Sequence, residues 1–336
     1  MPGDFYEKLA CFIEKSGSRL PPREFYDRVN RAFHDCESEN YDSIHREMFF
    51  CLDRIFLGLL SAVPPDSLPF PAGPDGAEVL DIGAGTGLVE ELLFRSFRGR
   101  IKTIFVVDPN AEMTRRLLKK NEGWGFRITV KSCYLEHAAL EPDSFDFVAC
   151  SSVLHHIPDL PSFFAALRPL IRRGGLLLTM QDPRAEAWSD PVAIGRRSEH
   201  RQISEKLKPT VPKFRAVAKR LLPFVAAWRR RGTLEGKVNA LLLKDGTFLH
   251  PLVMEEIWAI TDIHVPDQPG QIGTGIARPA LNAWLEGFEP IEYLTYNYFD
   301  GNLVQLENRF ARAEADFLAD RDMHGFQFAS LFRKVV

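Results

Sequence analysis

The sequence predicts an α/β protein built on a doubly wound, mostly parallel β-sheet. From residue 77 onward, short apolar runs without polar alternation are separated by segments of helical periodicity. Such runs are typical of strands that helices cover on both faces, which is the arrangement of a parallel sheet. A glycine-rich turn follows the first run directly, and an acidic residue ends the second run. Ligands of open α/β sheets bind at this edge.

The expected core elements alternate along the chain. Strands are predicted at 77–82, 101–107, 126–131, 145–150 and 175–180, with helices at 88–97, 110–118 and 162–171. Two later apolar runs are candidates for further strands on either side of a helix at 303–319; they cover 290–299 and 325–335.

Four segments are expected along the chain. A helical N-terminal segment, 1–63, precedes a linker in which prolines, glycines and acidic turn residues coincide. The core follows over 77–181. Residues 182–277 are too long for a connection, and prolines divide them into amphipathic pieces, so they are interpreted as an inserted helical lid. Residues 278–336 complete the core sheet.

Composition excludes several classes of protein. The 336 residues are 45% hydrophobic and 26% charged, which are ordinary globular values. The net charge of −3 gives no chain-wide reason to expect nucleic acid or a membrane surface as a partner. No apolar run reaches the length of a membrane span and the first residues lack a signal-peptide pattern, so the expected location is the cytoplasm. The five cysteines form no Cys-x-x-Cys pair, which argues against disulfides and a zinc cluster.

The glycine turn reads VLDIGAGTG over residues 79–87. Gly83 and Gly85 permit a tight turn and a close approach of a ligand to the backbone. The helix that follows would present free N–H groups to that ligand. A dinucleotide-binding turn has the spacing G-x-G-x-x-G, but the third position here is Leu88, so a pyrophosphate site is not indicated.

Asp108 ends the second predicted strand, in the sequence FVVDP. A carboxylate at this position can accept both hydroxyl protons of a ribose. The alternative is a helix N-cap or a solvated strand end. The neighbouring glycine turn favours ribose binding.

A third pattern follows the predicted fourth strand. Residues 143–159 read DSFDFVACSSVLHHIPD, so a buried strand ends in two serines at the ligand-binding edge. Four segments resemble, in this order, the motifs of class I S-adenosylmethionine-dependent methyltransferases. They are VLDIGAGTG, VVDPN, residues 143–159 and LRPLIRRGGLLLTM. The resemblance covers 77–181 strongly, and 277–291 look like the last helix, turn and sixth strand of that family. It implies a Rossmann-like, seven-stranded sheet whose last strand is antiparallel.

The resemblance also implies a binding site for S-adenosylmethionine. Asp81 would anchor the turn and reach the methionine amino group, directly or through water, and Asp108 would bind the ribose hydroxyls. Ser151 and Ser152 would supply carbonyl groups near the sulfonium. The other implied cofactor contacts are Gly83, Ala84, Gly85, Gly87, Pro109, Asn110, Met113, Cys133 and Tyr134.

Two aromatic positions leave alternatives open. The family often has an aspartate after the third strand that binds the adenine amino group, but Tyr134 stands there. Its hydroxyl, or the carboxylate of Glu136, could replace that aspartate. Tyr41 resembles an aromatic residue that closes over the methionine end of the cofactor, where cation–π attraction to the sulfonium is about 0.5–2 kcal/mol. Alternatively, Tyr41 packs the N-terminal segment onto the sheet.

Histidines are the candidates for a catalytic base. Methyl transfer needs mainly a well-placed acceptor, but a histidine can remove a proton from a hydroxyl or amine. The candidates are His156, His250 and His264. His155 and His156 are adjacent and are not expected to face the same ligand, so no metal site is predicted.

The predicted function is methyl transfer from S-adenosylmethionine to a small-molecule acceptor under the lid, on oxygen or nitrogen, in specialised metabolism. One alternative is a binding or regulatory protein with this fold but without turnover. Another is methylation of an anionic, peptide or nucleic-acid substrate through the basic stretch 196–237, which holds 13 Lys and Arg against three Glu. No nucleic-acid-binding module accompanies that stretch, which can also be a solvated helical face. A homo-oligomer is compatible with the sequence, which does not identify the acceptor.

Overall fold

The structure is a computed structural model that describes residues 2–73, 75–207, 232–266, 273–301 and 306–336. Its centre is a seven-stranded sheet. The strands are β1 (Ala77–Ile82), β2 (Ile101–Val107), β3 (Arg127–Lys131), β4 (Phe145–Ser151), β5 (Ile171–Pro183), β6 (Phe288–Tyr296) and β7 (Gln327–Lys334).

The strands lie in the order β3-β2-β1-β4-β5-β7-β6. Strands β1 to β5 are parallel, whereas β7 pairs antiparallel with both β5 and β6. The direction of winding reverses between β1 and β4, which opens a crevice at the carboxyl ends of these strands. The predicted Rossmann-like sheet with an antiparallel last strand is confirmed.

The boundaries of two predicted strands, β5 and β6, differ from the structure. β5 begins at Ile171 rather than at 175, because Ile171 already pairs with Phe145 on β4. It continues to Pro183 rather than ending at 180, because β7 pairs with it to that point. β6 ends before 299, since Asn297 has a φ of +57° that breaks the extended backbone.

Helices cover both faces of the sheet. Within the described residues the α-helices are α1 (Pro2–Lys8), α2 (Ala10–Ser16), α3 (Pro22–Glu37), α4 (Tyr41–Ile44), α5 (Arg46–Leu60), α6 (Leu88–Phe97), α7 (Ala111–Lys120), α8 (Leu160–Leu167), α9 (Pro191–Leu207), α10 (Leu234–Lys244), α11 (Met254–Thr261), α12 (Arg278–Trp284) and α13 (Asn308–Ala319). None of them is both long enough and apolar enough to cross a membrane.

The sheet separates two apolar layers. On one face, Leu59 of α5 and Leu93 of α6 are fully buried in the same cluster as Phe147 of β4. On the other face, Phe164 and Leu167 of α8 are fully buried against the sheet. Each such side chain contributes about 1.5–3 kcal/mol when it is removed from water. The loops at the carboxyl edge therefore start from firmly held strand ends.

The N-terminal helices and part of the insertion share a third apolar core. Phe25 and Val29 of α3 are fully buried with Leu242 of α10 and Ile260 of α11. The ring of Phe25 lies 5.9 Å from that of Phe248. The sequence places these helices in two separate segments, 1–63 and 182–277, whereas the structure packs them together. Helices α1–α3, α10 and α11 are called the cap below.

Helix α9 packs on the C-terminal part of the chain instead. The Arg196 guanidinium donates two hydrogen bonds to the Asp322 carboxylate, at 3.1 and 2.8 Å. Arg197 lies 2.7 Å from a carboxylate oxygen of Asp300. Two bases of the basic stretch are thus paired with acids. Residues 208–231 of that stretch lie outside the described residues.

Candidate active site

A cavity of about 420 Å³ lies between the carboxyl edge of the sheet and α3. Its size falls within the range of roughly 300–1,000 Å³ that is typical of small-molecule sites. Most of the predicted cofactor contacts line it, although they come from five separate loops and helices. They are Tyr41, Gly83, Gly85, Asp108, Pro109, Asn110, Met113, Cys133, Tyr134 and Ser152.

The glycine turn forms the floor of the cavity. Gly83 has a φ of +67°, and a Cβ at this position would lie 2.4 Å from Cγ2 of Val153, so no side chain fits. Gly85 has a φ of +56°, and no atom lies within 4 Å of the place of its Cβ. The first glycine lets the turn pack on the segment after β4, and the second leaves its backbone open to a ligand.

Asp108 joins this floor to the loop after β2. Its Oδ2 accepts a hydrogen bond from the Gly85 N–H at 2.9 Å, and its Oδ1 accepts one from the Asn110 N–H at 2.7 Å. Asp108 is 6% exposed, and burial raises the pKa of its carboxyl although both N–H groups oppose this. Each carboxylate oxygen keeps a second lone pair. The side chain can therefore accept hydrogen bonds from two neighbouring hydroxyl groups.

The N-cap of α7 is Asn110, not Asp108. The Asn110 side chain accepts a hydrogen bond from the Met113 N–H at 2.9 Å. Opposite, Tyr134 lies beneath the guanidinium of Arg31, whose central carbon is 5.4 Å from the ring centre. Burial raises the pKa of the Tyr134 hydroxyl, so it is protonated at neutral pH and can donate a hydrogen bond.

Asp81 lies beneath the floor rather than on the cavity surface. Asp81 and Glu90 are fully buried. Burial raises the pKa of both carboxyls, and the Glu90 charge raises that of Asp81 further. Protonation of one of the two carboxyls would remove the penalty of burying two like charges. Three further predicted contacts are not among the described lining residues: Ala84, Gly87 and Ser151.

Of the three predicted catalytic histidines, only His156 is among the lining residues. Its Nδ1 lies 2.9 Å from the Thr261 carbonyl oxygen and donates to it, so Nε2 carries the lone pair. Burial, followed by the neighbouring His155, lowers the pKa of His156. Its carbonyl accepts a hydrogen bond from the Tyr26 hydroxyl of α3.

The other two histidines lie elsewhere. His264 is held behind the turn after β4, with Nε2 3.0 Å from the Ile157 carbonyl oxygen, and burial lowers its pKa to about 4. His250 is exposed and lies against Gly17 at the end of α2. The structure therefore does not bring these two together with the cavity.

Of the adjacent histidines His155 and His156, only His156 is among the described lining residues of the cavity, as expected, but both rings approach Asp262. They lie on the 3-10 turn Leu154–His156, and their ring centres are 4.0 Å apart. The Asp262 carboxylate faces both: its Oδ1 is 4.0 Å from Nε2 of His155 and 3.5 Å from Nδ1 of His156. The sequence contained no sign that a residue over a hundred positions later reaches this turn.

The wall opposite the floor is the part of the site that sequence reasoning missed. One face of α3 supplies six lining residues at spacings of three and four: Arg23, Tyr26, Asp27, Asn30, Arg31 and His34. The predicted helical segment 1–63 includes Phe25, Val29 and Phe33 at helical spacing, which accounts for the apolar face of α3 but gives its polar face no role. Polar residues that recur at helical spacing beside the apolar residues are the sequence signal that could have identified this polar face.

Comparison with known proteins agrees with this geometry. The family described as "Methyltransferase domain" matches residues 80–179. Ubiquinone biosynthesis O-methyltransferase of Xanthomonas euvesicatoria is 35% identical over 102 residues, which are 30% of this chain and 41% of that protein. The same-named protein of Aeromonas salmonicida is 33% identical over 100 residues, again 30% and 41%. The chain thus spans about two fifths of the length of these curated relatives.

Solved structures also match the chain. Geranyl diphosphate C-methyltransferase from Streptomyces coelicolor has 12% identity and a TM-score of 0.41, covering 80% of this chain and 74% of its own. An S-adenosylmethionine-dependent methyltransferase from Methanosarcina mazei has 14% identity and a TM-score of 0.39, covering 82% and 99%.

The sheet order and the family match together define the core as a methyltransferase domain. It is a class I, S-adenosylmethionine-dependent methyltransferase domain, which confirms the resemblance seen in the sequence. Domains of this class take their methyl group from S-adenosylmethionine.

Proposed function

We propose that this chain transfers a methyl group from S-adenosylmethionine to a small-molecule acceptor inside the cavity between the sheet and α3. The observation that carries the proposal is the contact of Asp108 with Gly85 on the cavity floor. It places a carboxylate with free acceptor capacity beside a backbone that a ligand can touch. These are the two features that a ribose and a methionine chain require.

Each part of the cofactor is assigned to a different group of residues in the site. We assign Asp108 to the ribose hydroxyls and the backbone of Gly83 and Gly85 to the methionine chain. The Ser152 carbonyl and the ring of Tyr41 face the sulfonium end. The adenine lies among Pro109, Met113, Cys133 and Tyr134. Asp81, Ala84, Gly87 and Ser151 support the turn from below, and Asp81 could act through water.

The chemistry asked of the protein is mainly positioning. The cofactor supplies an activated methyl group on a sulfonium. Helix α3 of the cap forms one wall of the cavity, and a dry, preorganised site favours in-line attack by an acceptor about 3 Å away. His156 is assigned as the catalytic histidine that forms a hydrogen bond with the acceptor through Nε2. His264 and His250 are not assigned to the acceptor.

The acceptor is proposed to be a small molecule methylated on oxygen. The curated relatives that match the core are named as O-methyltransferases. On the side away from the sheet the cavity is lined by α3 of the cap, and α10 and α11 of the insertion pack behind α3. We propose that this layer acts as the lid over a small acceptor. A cytoplasmic enzyme of specialised metabolism remains part of the proposal.

Calorimetry with S-adenosylhomocysteine tests the cofactor site. We expect binding with a Kd on the order of micromolar, and Asp108→Ala should weaken it by about 2 kcal/mol, roughly 30-fold, because two charge-assisted hydrogen bonds are lost. Glu112→Gln is the control, since Glu112 is an acid on the nearby helix α7 that does not line the cavity. Equal affinity of Asp108→Ala and wild type would place ribose recognition elsewhere.

A second experiment addresses turnover. Incubation with a metabolite extract and a methyl-labelled donor should yield a labelled product that mass spectrometry identifies. Cofactor binding without any labelled product, over a broad range of extracts, would favour the binding or regulatory alternative.

A further inference from the structure

The junction between the insertion and the core holds side chains that the proposed methyl transfer does not fully use. His155 and His156 lie on the turn after β4, and Asp262 directly follows α11. Within the described ranges, these three form a group of possible metal ligands whose ligand atoms lie within 4.8 Å of one another. They belong to two segments that are far apart in the sequence.

The spacing of these atoms suits a shared ion better than direct hydrogen bonds. The Asp262 Oδ1 is 4.0 Å from Nε2 of His155 and 3.5 Å from Nδ1 of His156. Hydrogen bonds between nitrogen and oxygen are about 2.7–3.2 Å long. Two ligands that each lie about 2.0–2.2 Å from one zinc ion can be up to roughly 4 Å apart. Small side-chain movements would bring all three atoms to one ion.

Asp182 orients the ring of His155 so that its Nε2 can bind a metal ion. The Asp182 Oδ1 is 2.8 Å from Nδ1 of His155 and also accepts the His155 backbone N–H at 3.0 Å. When Nδ1 donates to Asp182, Nε2 presents its lone pair towards Asp262. Histidines that bind metals usually donate their other N–H to a carboxylate or carbonyl in this way.

The charges around the cluster favour a cation. Asp182 is fully buried and Asp262 half-buried. The His155 ring lies between the two carboxylates, with Nδ1 2.8 Å from Asp182 and Nε2 4.0 Å from Asp262. The other titratable groups near the cluster include His34 and Glu37 of α3, His264 of the insertion, and His45, Tyr26 and Tyr41 of the N-terminal segment. A positive charge between the two carboxylates is therefore stabilised.

We propose that His155, His156 and Asp262 bind one divalent ion of the zinc type, with Asp182 orienting His155. Two imidazoles and a carboxylate are ligands that Zn²⁺ and Co²⁺ accept. When the ion binds Nδ1 of His156, the proton that this atom now donates to the Thr261 carbonyl moves to Nε2 of the same ring. The ion joins the insertion to the core beside the cavity, and this role does not depend on methyl transfer.

Titration of the metal-free full-length protein with Co²⁺ tests the site, because the visible absorption of bound Co²⁺ reports its ligands. Wild type should bind one equivalent saturably, and Zn²⁺ should displace it. Asp262→Asn should abolish this binding, and Asp182→Asn should weaken it about 10–100-fold. Glu255→Gln is the matched control, because it removes an exposed carboxylate from the adjoining helix α11.

Failure of the metal site can be distinguished from failure of the proposed methyl transfer. Circular dichroism checks that each variant is folded, and His156→Gln replaces Asp262→Asn if the latter is not. S-adenosylhomocysteine affinity, measured on the same metal-free samples, reports the cofactor site independently. No saturable Co²⁺ binding by wild type, or equal binding by wild type and Asp262→Asn, would overturn the metal site.

Discussion

The hydroxyl of Thr86, on the glycine turn, donates a hydrogen bond to the carboxylate of Asp42 in the N-terminal segment. The other oxygen of this carboxylate lies 3.3 Å from Nζ of Lys120 at the end of α7. Asp42, the residue after Tyr41, thus attaches the N-terminal segment to the floor of the cavity. The position of Tyr41 over the site therefore depends on a contact with the turn itself.

Asp42→Asn should weaken cofactor binding while leaving the chain folded. The Asp42 side chain is 48% exposed, so its ion pair contributes about 0–1 kcal/mol and the hydrogen bond from Thr86 about 1 kcal/mol. We expect a loss of roughly 3–10-fold in S-adenosylhomocysteine affinity by calorimetry. In a double-mutant cycle with Thr86→Val the two effects should not add, whereas additive losses would show that the contact is not used. Asp66→Asn, in the linker, is the surface control.

Gly83→Ala should destabilise the fold more than Gly99→Ala does. Both glycines have a positive φ, +67° and +76°, so both variants carry a backbone penalty of about 1 kcal/mol. Only at Gly83 does the new Cβ meet Val153, and overpacking adds about 1–3 kcal/mol. Urea unfolding measures the difference between the two variants. Equal midpoints would mean that the turn can move away from β4 freely.

His156→Ala should reduce turnover at least tenfold, about 1.4 kcal/mol in the barrier, and leave cofactor affinity within about threefold. The reason is that His156 lines the cavity, where its Nε2 can form a hydrogen bond with the acceptor. His250→Ala serves as the control, because His250 is exposed and lies away from the cavity, beside Gly17 at the end of α2. The assay is incorporation of a labelled methyl group from the donor. A similar loss in both variants would contradict the assignment.

Glu37 should make stability depend on acid pH. Burial would raise its pKa, but hydrogen bonds with His34 and His45 lower it to about 2. Because this value lies below the ordinary 4.5, the contribution is fully present above about pH 4.5 and is lost as pH falls towards 2. The difference corresponds to at most about 3 kcal/mol. Urea unfolding between pH 6 and 3 should show the loss.

Glu37→Gln tests the origin of this acid loss. The variant should be less stable at neutral pH and should lose much less stability on acidification. Glu24→Gln is the matched control on the same helix, since the Glu24 carboxylate is nearly half exposed in an ion pair with Arg28. An unchanged pH dependence in Glu37→Gln would assign the effect to other carboxyls.

The sequence alone predicts the sheet and the floor of the cavity because both depend on local patterns. The apolar runs, the glycine turn and Asp108 lie within about thirty residues of one another, and each pattern has a direct backbone consequence. The antiparallel last strand follows from the family resemblance rather than from local residues. Sequence patterns also located helix α3 but not its second, polar face.

Contacts between distant segments could not be predicted in the same way. Nothing near Asp262 indicates that it ends beside His155, since the approach depends on how α11 packs on α3. The hydrogen bond from Thr86 to Asp42 likewise joins residues whose neighbourhoods carry no shared motif. Propensity and periodicity describe single elements, whereas these contacts are set by tertiary packing.

The shared core of the cap also constrains the order of events during synthesis. Phe25 and Val29 leave the ribosome long before Leu242 and Ile260, which bury them. Contacts of such large sequence separation form late and slowly. Until then the apolar face of α3 lacks part of its cover and is open to aggregation or to chaperones. The glycine turn and the first four strands can assemble in that interval, so the covering of the cavity is expected to be a late step in folding.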